Sequence, residues 1–181
     1  MEIASDKQAF EDLPVLAPAL RVINQLEFEG IIKKPTIGGS IALSYHGQTI
    51  LTDDLDVFCF FEGQGLIQTT APLLTRLNEL GYTTTDLGAR IEGIEVQFLG
   101  QGFGLVTEAL ENALEIKVEG VPFHIFDFEY ALAVKAAAGR NKDWLHIAAT
   151  LEASEPDQNK LFAILEKHGL LKAWKRKLVD E

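Results

Sequence analysis

Asp54 and Asp56 alternate with Leu55 and Val57 at the head of an apolar run that ends Phe58-Cys59-Phe60-Phe61. In an extended strand residues i and i+2 face the same way, so the two carboxylates project side by side while Leu55 and Val57 point into a core. Such a pair suits magnesium, which takes a few carboxylates plus water and substrate phosphates. Two ions about 4 Å apart can clamp the attacking and leaving oxygens of an in-line displacement. The competing reading is a half-exposed strand with a solvated polar face. The aromatic residues behind the pair argue against it, because they predict a strand covered on both faces, where an unpaired Asp56 is costly. Asp53 reads as an ordinary turn residue.

Two further groups could join that chemistry. Thirteen residues separate Gly38-Gly39-Ser40 from Asp54. Paired glycines ahead of a helix let the backbone turn sharply and aim N–H groups at a phosphate, although the same dipeptide is also a commonplace turn. Downstream, Lys135 and Arg140 are five residues apart, so they do not share one helical face, and a solvated charge is the ordinary reading of each. The small apolar neighbours of Lys135, in "ALAVKAAAG", are unusual for a solvated lysine and leave a phosphate-binding role open.

The elements that must hold these residues follow from periodicity. Apolar spacing predicts a helix over 10–29, with Pro14 and Pro18 interrupting its first turns and Lys34-Pro35 ending the region. A short strand over 36–38, a helix over 40–45 opened by Ser40, and a buried strand over 55–61 come next. A helix over 67–80 stops at Gly81. "ARIEGIEVQFLG" and "ALEIKVEGVPFHIF" each read as two strands split at Glu-Gly. After Asp127 the chain turns helical, over 129–138, 144–153, 157–168 and in a last basic helix at "LLKAWKRKL". The fold class is α/β (α+β): a mixed sheet flanked by helices, a core over 1–128, and a C-terminal helical segment over 129–181 packed on it as one structural domain.

Composition bounds the function. Of 181 residues, 47% are hydrophobic and 24% charged, ordinary globular usage that argues against disorder. Sixteen basic against 27 acidic residues give a net charge of −11, which disfavours independent nucleic-acid binding. One cysteine, Cys59, excludes an internal disulfide and a cysteine zinc site and reads as a small core hydrophobe. Without a signal-peptide pattern or a run of eighteen apolar residues, the expectation is a soluble cytoplasmic protein with no membrane partner. The basic C-terminal helix, with Lys172, Lys175, Arg176 and Lys177, could meet a phosphate backbone, but reads first as a solvated amphipathic face over a packed Trp174.

"IGGSIALSYHGQTILTDDLD" resembles the signature of the DNA polymerase β-like nucleotidyltransferase superfamily, in which a Gly-Gly or Gly-Ser turn precedes two acidic residues that alternate with apolar ones. Thr52 before the pair and "KAAAGRNKD" downstream are similar to its small bacterial branch of minimal and abortive-infection toxin nucleotidyltransferases. The resemblance implies a sheet of about five strands flanked by helices. It also implies that Asp54 and Asp56 hold Mg2+ in a two-ion site, that Gly38, Gly39 and Ser40 hold a nucleoside triphosphate, and that Lys135 and Arg140 meet its phosphates. The implied reaction moves a nucleoside monophosphate to an acceptor hydroxyl, on a small molecule, a protein or an RNA end, and releases pyrophosphate.

The chain departs from that pattern twice. The superfamily's third carboxylate matches Gln97, which cannot act as a base, so Glu95, facing the same way two residues earlier, is the substitute, with Glu92 weaker. Where the branch has an acidic residue three after Asp143 stands His146, which reads as a packed or surface residue. The alternatives are a nucleotide-binding relative without turnover, serving as a regulator or toxin-system component, and a plain α/β interaction domain. The sequence leaves oligomeric state open.

Overall fold

The computed structural model describes residues 15–47, 50, 52, 54–61, 69–102 and 104–178. Among these, helices α1 (Ala17–Phe28), α2 (Gly39–His46), α3 (Ala71–Glu79), α4 (Leu105–Glu111), α5 (Phe128–Ala138), α6 (Asn141–Ala153), α7 (Gln158–Lys167) and α8 (Leu171–Leu178) surround one mixed sheet. Its strands are β1 (Ile32–Ile37), β2 (Asp54–Phe61), β3 (Gly88–Ile91), β4 (Ile94–Gly100), β5 (Leu114–Val118) and β6 (Val121–Ile125). They lie in the order β3-β4-β2-β1-β6-β5. β2 runs parallel to β4 and β1 parallel to β6, whereas β1 and β2 are antiparallel, as are the β3–β4 and β5–β6 hairpins. The expected mixed α/β architecture is what the chain forms, with six strands where about five were expected.

The central strands alternate buried and half-buried residues. In β2, Leu55, Val57 and Cys59 are fully buried, while Asp54 is exposed and Asp56, Phe58 and Phe60 are half-buried on the opposite face. The strand is thus sealed on one face and only partly covered on the other, which leaves the acidic end accessible. Burial pushes the Cys59 thiol up to about 12, consistent with a packing role.

Several boundaries move. The first turns expected over 10–14 and the start of the 67–80 helix lie outside the described residues, as does Asp53. α1 begins with Pro18 in its first turn, where a missing N–H is harmless. Lys34 and Pro35 do not close a helical region. They form an irregularity inside β1, where Lys34 takes φ +51° and its N–H turns out of the ladder to Glu27 Oε1 at 2.8 Å. That bulge lets a central strand carry a proline. α4, which no periodicity announced, fills the connection between β4 and β5. Among the described residues no helix is long and apolar enough to cross a membrane.

Candidate active site at the start of helix α2

The turn from β1 into α2 sits directly on β2. Gly38 donates its N–H to the Asp56 carbonyl at 2.9 Å and accepts from Ala42 N–H at 3.1 Å, so Gly38 is spent on structure. A Cβ on Gly38 would overlap the Phe58 ring. Gly39 adopts φ +58°, and a Cβ there would overlap Asp56 Oδ2, so only glycine allows this backbone to lie against the carboxylate. Ser40 does not cap the helix, which begins one residue earlier with Gly38 at the N-cap. The N–H groups of Gly39, Ser40 and Ile41, in the first turn, have no carbonyl four residues back within the helix.

Ser40 Oγ instead points at the C-terminal helices. Lys135 Nζ donates to it at 3.0 Å, and His146 Nδ1 lies 3.3 Å away. Lys135 is on α5, only 7% exposed, and also reaches Asp143 Oδ1 at 3.3 Å. Gly139, in the left-handed conformation, ends α5 and turns the chain so that Arg140 enters α6 from another direction. Lys135 and Arg140 therefore need not share a helical face. They share Asp143, which is 0% exposed and takes Arg140 Nε at 2.7 Å and Nη2 at 3.1 Å.

The charges interact across the site. Burial raises the Asp56 carboxyl above its ordinary range and Asp54 adds to this, while Lys135, Arg140 and Lys142 pull it down. Burial likewise lowers the Lys135 ammonium, against the attraction of Asp143 and Asp56. For Asp143 burial pushes up, but the hydrogen bonds and charges of Arg140 and Lys135 outweigh it and hold the carboxyl low. Asp54, Asp56, Gly39, Ser40, Lys135 and Arg140 are thus gathered at one end of the sheet.

Glu95 joins this end of the sheet by register but is engaged elsewhere. In the parallel β2–β4 pairing Asp54 lies opposite Glu95 and Asp56 opposite Gln97, so all four side chains share a face. The Glu95 carboxylate is 43% exposed and pairs with Arg90 Nη1 at 3.2 Å. Among the described residues no group of three His, Cys, Asp or Glu side chains is assembled to hold a metal. Glu92 sits in the β3–β4 turn and accepts from the Tyr82 hydroxyl at 2.6 Å. His146, read from sequence as packed or surface, faces Ser40; its departure from the family pattern was the signal that could have flagged it. A cavity of about 600 Å³ lined by Glu166, Gly169, Leu171, Lys172, Lys175 and Arg176 belongs to α7 and α8 and contains none of these groups.

The chain is similar over 91% of its length, and over 92% of the other chain, to the crystal structure of an antigenic nucleotidyltransferase-like protein from Paracoccidioides brasiliensis, with 14% identity and a TM-score of 0.51. The fold is nucleotidyltransferase-like. The solution structure of the antibiotic-resistance factor ANT(2'')-Ia matches 89% of this chain and 93% of its own, at 15% identity and a TM-score of 0.49. No protein-family model matches the sequence, and no curated protein does. Within the nucleotidyltransferase-like fold of this chain, the gathered residues occupy the junction of β1, α2, β2, α5 and α6.

Proposed function

We propose that the protein is a magnesium-dependent nucleotidyltransferase that moves a nucleoside monophosphate from a nucleoside triphosphate to an acceptor hydroxyl and releases pyrophosphate. The observation that carries this reading is Gly39 lying against the Asp56 carboxylate, with Lys135 on the adjoining Ser40. A phosphate-facing helix turn, an acidic strand and a buried cation meet at one place. The motifs "IGGSIALSYHGQTILTDDLD" and "KAAAGRNKD" support the small bacterial branch of the superfamily.

Two carboxylates on one strand face, the more buried one held back from ionising by burial, fit magnesium that arrives with a triphosphate. Asp54 and Asp56 would hold it, and it would supply charge neutralisation at the phosphoryl oxygens. The chain's own residues do the positioning. The first-turn N–H groups of α2 bind phosphate oxygens, Lys135 and Arg140 neutralise them, and Asp143 fixes both cations.

Glu95, beside Asp54, is the base for the acceptor proton once it leaves Arg90. The second reading, a nucleotide-binding relative without turnover, is favoured by Gln97 standing opposite Asp56. Incubating the protein with each labelled nucleoside triphosphate, magnesium and a cell extract tests the proposal. Label should enter an acceptor with the parent protein and not with Asp56→Asn. Folded Asp54→Asn and Asp56→Asn proteins that both bind magnesium nucleotide as the parent does would remove the metal assignment. Glu95→Gln should lower transfer about a hundredfold while sparing binding. Transfer gained only in Gln97→Asp would establish the second reading.

A further inference from the structure

His146 has no part in the reaction just described, yet it faces the proposed phosphate site. An ammonium can only donate, so the Ser40 oxygen accepts from Lys135 and its own proton is left to donate. Nδ1 of His146, 3.3 Å away, can accept it only with a bare lone pair. This requires the neutral imidazole, protonated at Nε2. The surrounding charges favour the neutral ring. Lys135 faces it from α5, Lys142 from its own helix and Arg140 from that helix's N-cap, and Asp143 opposes them. α2, packed on α6, brings the Ser40 hydroxyl; of its titratable side chains, Tyr45 and His46 lie at the far end of the helix, with His46 Nε2 on the Phe126 carbonyl at 2.7 Å. Burial, then Lys135, holds the His146 ring below its usual range.

We propose that His146 is a proton-linked positioning residue. In the free protein it holds the Ser40 proton away from the first turn of α2; when a nucleoside triphosphate fills that turn it becomes an imidazolium, and Ser40 donates to a phosphate oxygen instead. The inference rests on the proposed nucleotide site. Polyphosphate neutralises the cations that now disfavour a charged ring, so the ring takes one proton from solvent. Once Nδ1 carries that proton it no longer accepts from Ser40, whose own proton is never transferred. The sign follows from linkage. Binding takes up a proton, so affinity rises as pH falls between the titration points of the bound and free states.

Two measurements on the full chain test this. Imidazole nitrogen NMR, with His146→Gln to assign the signal, should show a neutral ring protonated at Nε2 in the free protein at pH 7. A ring protonated at Nδ1, or doubly protonated, overturns the proposal whatever the nucleotide does. Calorimetry with each magnesium nucleoside triphosphate, in buffers of different ionisation enthalpy, should show proton uptake in the parent beyond that of His146→Gln. The ratio of parent to variant affinity should rise about tenfold from pH 8 to pH 6. Titration of the nucleotide itself is common to both proteins and cancels in the ratio. Binding with equal uptake and a flat ratio sinks the proton link and leaves the nucleotide site standing. A parent that binds no nucleoside triphosphate at any pH overturns the site and the inference together.

Discussion

Asp143 has no exposed surface, and its carboxylate serves two cations at once. Removing it with alanine leaves the Lys135 ammonium buried beside a hydroxyl, and breaking a buried pair in this way costs about 3–5 kcal/mol. Asp143→Ala should lower the unfolding free energy by that order in urea titration, and Asp143→Asn by less, since the amide oxygen still accepts. An unchanged midpoint for Asp143→Ala would show that the ion pair contributes nothing. The Gly39 backbone makes a separate demand. Its φ of +58° disfavours any side chain by roughly 1–2 kcal/mol, and a Cβ must displace the Asp56 carboxylate. Gly39→Ala is therefore expected to lose magnesium-dependent nucleotide affinity beyond its modest loss of stability; calorimetry that finds a folded variant with parental affinity would take Gly39 out of the site.

At the scale of elements, the two hairpins were legible because Glu-Gly between β-rich runs is a turn with a mechanism. Glu92-Gly93 and Glu119-Gly120 all adopt positive φ, at 49°, 87°, 48° and 81°, the pattern of a two-residue hairpin turn. Glutamate is a poor occupant of the first position. Glu92 also receives the Tyr82 hydroxyl, whereas Glu119 is simply exposed. Glu119→Asn should accordingly stabilise the protein by up to about 1 kcal/mol, seen as a higher thermal midpoint, because asparagine tolerates the left-handed region better. A lower midpoint would mean that the Glu119 side chain contributes more than its backbone conformation costs. The β1 bulge was not legible, since Lys34-Pro35 reads as a break and only the pairing of β1 with both β2 and β6 turns it into a central strand. α4 was missed for its length, seven residues being too few to establish a period. In the site, strand alternation placed Asp54 and Asp56 on one face, as the structure has them. The cation pair and His146 depend on the turn at Gly139 and on α6 folding back to α2, contacts distant in sequence that no local pattern encodes.

The helices that complete the site are tied to the rest of the molecule by titratable groups, and this makes overall stability pH-dependent. α8 seats Trp174 against Trp144, in the first turn of α6, with ring centroids 6.2 Å apart, while Lys160 of α7 holds Asp127 and Glu129 at the start of α5. Burial raises the Asp127 carboxyl, but its hydrogen bonds to Lys160 and Glu129 and the Lys160 charge bring it below its ordinary value, as Arg140 and Lys135 do for Asp143. Such carboxylates contribute stability above their unfolded values near 4, and it is lost as pH falls through their lower folded values. Asp56 acts in reverse, since its raised folded value means that protonation relieves a cost present at neutral pH. His46 and His146 respond first on acidification. Burial lowers both folded values below the usual 6.5, so between the folded and unfolded values the unfolded chain binds more protons and stability falls as pH falls. Urea titrations at pH 7.5, 6 and 5 should therefore show declining stability well before the carboxylates titrate. His46→Gln, whose amide can still donate to the Phe126 carbonyl, should make that decline shallower, leaving the share due to His146 and the steeper loss below pH 4 unchanged; parent and variant curves of identical slope from pH 7.5 to 5 would show that His46 does not contribute to the early fall.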